Sequence, residues 1–295
     1  MPTELSVVVP AVNTQRDVAD CLRHLDAQRA DVSLEVLLMD RIGVAHDVVG
    51  DRPWVRVIPV AKSVTIPQMR AQAFDVASGA AVAVIEDHVM VPPGWARRML
   101  DALAESDGVA AGSVENAATG NLMDWACFLC EYSQLLPPIP GGFVDGVTGN
   151  NVVYRRELLE EFRDVTHEGK WENRLHDAVR ASGRRLLCKP EIAIGHKKHY
   201  TFWEYFSQRY LYARSYAGAR VAGAPLGRRL FYGAAAFVLP PLLFVRIVRT
   251  IQAKGRHGGL LLKSLPLIAT FVVSWGVGEI VGYWFGAGDS LAKVC

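Results

Sequence analysis

The sequence predicts an α/β fold: a Rossmann-like mixed sheet flanked by helices, followed by C-terminal membrane-associated helices. Three observations carry this. Between Leu5 and Met39 two short β-branched runs bracket an amphipathic stretch, the signature of a βαβ unit. A third run, Val82-Ala-Val-Ile85, ends abruptly in Glu86-Asp87-His88 and then turns at Pro92-Pro-Gly94. Hydrophobic residues make up 51% of the 295 residues, mean hydropathy is +0.15, and the last part of the chain holds two long apolar runs.

Leu5-Ser-Val-Val-Val-Pro10 reads as a strand buried on both faces, because it is a short continuous apolar run bounded by polar residues. Asp17 to Gln28 carries Val18, Cys21, Leu22 and Leu25 on one helical stripe. Leu34–Met39 is the second strand, closed by Asp40, and the crossover between two such parallel strands is right-handed. Val55–Val60 is a third strand. Pro67–Ser78 is a helix with Gly79 at its C-terminal end, and it leads into Val82–Ile85. This is the element order of a nucleotide-binding half-domain.

Ligands of open α/β sheets sit beyond the carboxyl ends of the strands, so polar residues there are site candidates. Asp40 can accept hydrogen bonds from a base or ribose, or act as a loop or cap carboxylate. Glu86 and His88 are two apart and share a face of an extended segment. An O,N pair on one face suits a divalent metal, and a solvated strand end explains it equally well. Pro10-Ala-Val-Asn-Thr14 lacks the glycine fingerprint that cradles phosphates. Phosphates then need another partner, which favours the metal.

Gly108–Val114 is another strand, followed by an apolar helix at Leu122–Tyr132 and a Pro137–Gly142 break expected to be a flexible loop. Val147-Thr-Gly-Asn-Asn-Val-Val-Tyr-Arg-Arg156 puts a Gly-Asn-Asn turn before a strand. Its asparagines can bind sugar hydroxyls or simply make the turn. Glu172–Ser182 reads as a helix with Leu175, Ala178 and Val179 on one face and Gly183 as its cap. A carboxylate at its start is favoured by the helix dipole, so capping competes with chemistry at Glu172. Leu186–Ile194 is a strand that delivers Gly195-His196, where the histidine is a metal ligand, a phosphate contact or a structural residue.

A net charge of +2 predicts no nucleic-acid partner, although Lys197–Arg256 is locally basic. Cys21, Cys127, Cys130, Cys188 and Cys295 are odd in number and scattered, which suits a reducing compartment. Cys127-Phe-Leu-Cys130 sits in an apolar run and reads as core packing. The chain enters its first strand without a basic leader, so no signal peptide is expected.

From Leu5 to about His199, six stretches in order resemble a family 2 glycosyltransferase with the GT-A fold. They are Ser6-Val-Val-Val-Pro10; Glu35-Val-Leu-Leu-Met-Asp40; Arg70 ahead of Ala77-Ser-Gly79; Glu86-Asp-His88 with Pro92-Pro-Gly-Trp95; Gly149-Asn-Asn-Val-Val-Tyr-Arg-Arg156; and Trp171-Glu172 through Gly183. The resemblance implies a UDP- or GDP-sugar donor held by Pro10, Val12, Asp40, Arg70, Glu86 and Asp87, with Asp40 on the base and Arg70 near the diphosphate. It implies Mn2+ or Mg2+ at Glu86 and His88, which stand where the family carries Asp-x-Asp, with His196 completing the metal site. Gly149, Asn150, Asn151 and Trp171 would face the donor sugar and acceptor. Glu172 matches the second position of the Glu-Asp pair of inverting members, with Trp171 at the first, and would be the catalytic base. A single in-line displacement needs one base for the acceptor proton, a metal to neutralise the leaving diphosphate, and no covalent nucleophile. The expected division is a nucleotide-sugar half at 1–112, an acceptor and catalytic half at 113–200, a basic aromatic interfacial helix at 201–229 and hydrophobic helices at 230–295.

Thr201–Arg220 is aromatic and basic at helical spacing, as in a helix at a membrane interface or one packed on the domain. Gln208-Arg209 resembles loosely a family motif that brings an arginine to the diphosphate. Leu230–Val245 is an uncharged run of 16 residues broken by Pro240-Pro241, short of the roughly 20 that span a bilayer. Ser264–Gly288 is longer, with Glu279 as its one charge. Were both to cross, Arg246, Arg249, Lys254, Arg256 and Lys263 would lie outside, against the positive-inside rule. The expectation is therefore that only the second crosses, with the catalytic domain on the cytoplasmic side of the inner membrane and a lipid-linked or membrane-proximal acceptor. The alternative is a membrane-tethered scaffold with a degenerate transferase domain.

Overall fold

A computed structural model describes residues 2–43 and 45–294, so Cys295 lies outside the described residues. The chain divides into two compact units, Met1–Ala117 with Pro137–Lys197, and Ala118–Leu136 with Lys198–Cys295. The strands are β1 (Leu5–Ala11), β2 (Leu34–Asp40), β3 (Val55–Pro59), β4 (Ala81–Ile85), β5 (Val89–Met90), β6 (Val109–Asn116), β7 (Gly142–Val144), β8 (Asn151–Arg155) and β9 (Leu186–His196). The helices are α1 (Gln15–Asp26), α2 (Ala45–Val49), α3 (Ile66–Val76), α4 (Trp95–Ala104), α5 (Leu122–Tyr132), α6 (Arg156–Glu161), α7 (Arg163–Thr166), α8 (Asn173–Ala181), α9 (Phe202–Arg220), α10 (Leu226–Ala235), α11 (Leu239–Ala253) and α12 (Gly258–Phe285).

All nine strands belong to the first unit and form one mixed sheet of order β3-β2-β1-β4-β8-β6-β9-β5, with β7 on β9. β3, β2, β1 and β4 run parallel, as the βαβ pattern requires. β8 then enters antiparallel to both β4 and β6. Every residue of β1 is buried, which explains its unbroken apolar run: both of its faces are covered. Thr14 with Asp17 and Thr65 with Gln68 close capping boxes at the starts of α1 and α3. Val8, Leu37, Met69, Val84, Val152 and Tyr154 meet in one core cluster, each contributing about 1.5–3 kcal/mol by burial.

Two local expectations change. α3 stops at Val76 and Ala77 is extended, so Gly79 does not cap it. A Cβ on Gly79 would lie 2.6 Å from the Ser6 amide nitrogen; glycine is needed there because the chain entering β4 passes against β1. The Pro137–Gly142 break is not wholly loop, since Gly142 opens β7 and pairs with Cys188. Gly183 does follow α8 in the left-handed region, at φ 89°.

The second unit is helical. Pro240 and Pro241 occupy the first positions of α11, where a helix has no use for their missing N–H groups. They therefore restart a helix instead of ending one, and the first apolar segment is longer than the sequence implied. Leu226–Ala253 and Gly258–Phe285 are each long and apolar enough to cross a membrane. α12 packs on α9 through glycines: a Cβ on Gly278 would lie 2.4 Å from the Tyr210 carbonyl oxygen, and one on Gly282 would lie 2.6 Å from that of Arg214. Glu279 is buried and accepts hydrogen bonds from Arg220 at 3.2 Å, so the one acid of the apolar run has a cationic partner.

Candidate active site

Glu86-Asp87-His88 does not extend β4. It forms a turn in which the Val89 N–H donates to the Glu86 carbonyl at 3.1 Å. β5 then runs antiparallel to the end of β9, with Val89 opposite His196. The turn, not strand alternation, brings Glu86 and His88 together, and the pairing adds His196 from 108 residues downstream. His88 Nε2 and His196 Nε2 are 2.8 Å apart, and Glu86 Oε2 lies 3.4 Å and 3.5 Å from them.

Two of the three candidate ligand side chains are aimed by a neighbour. Asp87 is fully buried and accepts from the Val12 and Asn13 N–H groups at 2.8 and 2.9 Å and from Asn13 Nδ2 at 2.6 Å. Asp87 Oδ1, which also takes the Asn13 amide, meets His88 Nδ1 at 2.9 Å and so turns Nε2 towards the cluster, as carboxylates behind metal-binding histidines do. Asn150 Nδ2 donates to Glu86 Oε2 at 3.0 Å. Burial opposes charge on Glu86, yet His196 and His88 hold its carboxyl well below the usual carboxylate range. Burial opposes charge on His88 too, but Asp87 and Glu86 draw its pKa up to about 9. The cluster therefore attracts positive charge, as a proton or as a cation.

Two imidazole nitrogens and a carboxylate oxygen converge within 4.8 Å, the one such group among the described residues. That donor set fits a divalent ion, and Mn2+ better than Mg2+, which prefers oxygen.

Glu172 stands at the N-terminus of α8 but makes no capping bond. Its carboxylate instead accepts from Arg70 Nη1 at 2.6 Å, across 102 residues of sequence. Arg70 is 7% exposed and Glu172 25%, so Arg70 orients the carboxylate and Glu172 presents it to solvent. Gly149 lies directly beneath: a Cβ there would come within 2.0 Å of Glu172 Cδ. Asn150, the next residue, holds Glu86, so the turn at 149–150 touches both the base candidate and the metal cluster. Trp171, Phe74 and Tyr154 line a small cavity with Arg70, Gly149 and Glu172.

The remaining candidates have internal partners. Asn151 is fully buried, donates to the Ser113 and Ile192 carbonyls and accepts from Trp95 Nε1. Asp40 accepts from the Ile42 and Gly43 N–H groups at 3.1 and 2.8 Å, shaping the loop at the carboxyl end of β2. Pro10 is buried near the end of β1, and Val12 follows that strand as a backbone donor to Asp87. Arg209 belongs to the second unit, where it faces Glu131 and the Trp275 ring. Sequence reasoning missed Asn13, whose amide braces Asp87, and the buried pair of Tyr154 Oη and His176 Nε2 at 2.8 Å. No local signal marks either, because each depends on a distant partner.

No family model and no curated protein sequence matches the chain. Solved structures do share its fold. A mannosyltransferase, PcManGT from Pyrobaculum calidifontis, in complex with GDP-Man and Mn2+, superposes with a TM-score of 0.57 at 14% identity, covering 95% of this chain and 88% of the other. S. aureus TarS 1–349 in complex with UDP-GlcNAc gives 0.53 at 14% identity, covering 94% and 91%. Another structure of that TarS segment gives 0.51 at 15% identity, covering 94% and 90%. This chain therefore has a glycosyltransferase fold, the α/β architecture to which its motifs pointed.

Proposed function

We propose that the chain is an inverting, metal-dependent glycosyltransferase of family 2 type. It moves a sugar from a nucleotide-diphosphate donor to an acceptor hydroxyl at a membrane. The observation that carries this reading is the convergence of Glu86, His88 and His196 beside a turn that also seats the partly exposed Glu172. The solved relatives of the same fold bind GDP-Man with Mn2+ and UDP-GlcNAc, which supports a nucleotide sugar and a divalent ion here.

Glu86, His88 and His196 would hold the metal, which would supply positive charge to offset that on the departing diphosphate. Asp40, at the carboxyl end of β2, would receive the base. Glu172 takes the acceptor hydroxyl proton on its carboxylate, with Arg70 fixing its orientation. The acceptor oxygen then bonds to the anomeric carbon as the carbon–oxygen bond to diphosphate breaks, and the electron pair leaves with the diphosphate. One displacement inverts the centre, and no second nucleophile is needed. The apolar helices of the second unit support a membrane-proximal or lipid-linked acceptor, with the sheet unit on the cytoplasmic side of the inner membrane.

Calorimetric titration of GDP and UDP, with and without Mn2+, tests the reading. One nucleotide should bind in a metal-dependent way, and His88→Ala should abolish the metal dependence. Glu172→Gln should retain donor binding and lose transfer. Failure of both nucleotides to bind with Mn2+ would favour the degenerate scaffold.

A further inference from the structure

Arg209 is the sequence candidate that this mechanism leaves unused. It lines a cavity of about 300 Å³ within the helical unit, between α5, α9, α11 and α12. Its lining combines apolar Ile247, Phe271 and Trp275 with Arg209, Arg246 and Glu131. Glu131 lies 3.5 Å from Arg209 Nη1, beyond the 2.7–2.9 Å or so of a strong charge-assisted hydrogen bond. Arg209 Nε is buried and without a hydrogen-bond partner among the described residues. Its guanidinium stacks on Trp275 at 4.3 Å, which fixes the plane of the fork. Arg246 is exposed. Two guanidinium groups thus line the cavity beside one carboxylate, which leaves an excess of positive charge. Leu242 and Val245, exposed in the turn of α11 before Arg246, continue the apolar surface out of the cavity.

We propose that this cavity binds the phosphate headgroup of an anionic membrane phospholipid, whose acyl chains run along Leu242 and Val245. A phosphate offers acceptors to both Arg209 and Arg246, and a guanidinium fork suits its geometry. The apolar lining and flank suit a lipid and have no use for a free inorganic anion. The inference rests on the reading that the second unit meets the bilayer.

The test is native mass spectrometry of the full chain released from micelles doped equally with phosphatidylglycerol and phosphatidylcholine. One phosphatidylglycerol should stay bound in preference, and Arg246→Gln should weaken its retention about fivefold, the effect of one arginine near an anionic lipid surface. Arg209→Gln should do the same; if packing loss unfolds that variant, the exposed Arg246 position decides. Equal retention of the two lipids, or undiminished retention by Arg246→Gln, overturns the proposal. Millimolar inorganic phosphate should leave the adduct in place, and displacement by it would overturn the lipid assignment. Flotation of the chain on pure phosphatidylcholine vesicles separates the two readings. A chain that floats but shows no headgroup preference refutes the cavity site alone, and one that fails to float refutes the membrane reading with it.

Discussion

Gly149 holds the base candidate in place by having no side chain, since a methyl group there would overlap the Glu172 carboxylate. Gly149→Ala should push that carboxylate off Arg70. We expect kcat to fall about a hundredfold, the scale of a 1 Å misplacement, while Mn2+-dependent nucleotide binding persists; comparing turnover with titration checks this, and an equal loss of both would contradict it. His176 makes a second residue-scale prediction. Buried against Tyr154, its pKa is pushed down to about 4 from an ordinary 6.5. The unfolded chain takes up more protons between those values. Stability that is complete above the unfolded pKa therefore falls as pH drops towards the folded one, by on the order of 3 kcal/mol. Denaturation of the native chain and His176→Gln between about pH 7 and pH 4 should show a flatter dependence for the variant, and parallel curves would refute the assignment. Glu86, His88 and His196 stood out in the sequence because each lies at a strand end, and the fold brings the three together. The Arg70–Glu172 pair did not, because nothing local to either residue specifies a partner 102 positions away.

At the scale of elements, strands were readable in both halves of the sheet, but direction was readable only in the parallel half, for one reason. β1, β2 and β4 are buried on both faces and so carry continuous apolar runs, whereas the directions of β8 and β9 depend on which neighbours they meet. The prolines at 240–241 show the converse: a breaker in sequence becomes a helix start once its position in the turn is known. α12 against α9 is the element pair most exposed to a single atom. Gly278→Ala places a methyl group 2.4 Å from the Tyr210 carbonyl oxygen, and we expect a loss of about 1–3 kcal/mol from overpacking. Thermal unfolding in detergent measures it, and an unchanged midpoint would mean the helices can separate without cost.

For the whole molecule, the candidate site lies in the sheet unit and the long apolar helices lie in the other. Phe231, Phe237 and Leu242 are 70%, 63% and 60% exposed, so replacing all three with glutamine leaves packing largely intact. If lipid covers them, each is worth about 1.5–3 kcal/mol, and the triple variant should leave vesicles on flotation while nucleotide binding survives. Continued flotation would place the contact elsewhere.

The boundary between the units is crossed by the chain after Ala117, Leu136 and Lys197, and this sets an order of events during synthesis. α5 emerges early, yet its main packing partner α12 follows much later in the chain. At translation rates of about 5–20 residues per second, α5 waits on the order of ten seconds for α12. Until α12 arrives, the helix that carries Trp125, Phe128 and Leu129, all buried in the finished protein, lacks that cover. A nascent chain stalled between Lys197 and Gly258 should therefore be a client for holdase chaperones, with the sheet unit complete and one helix still orphaned.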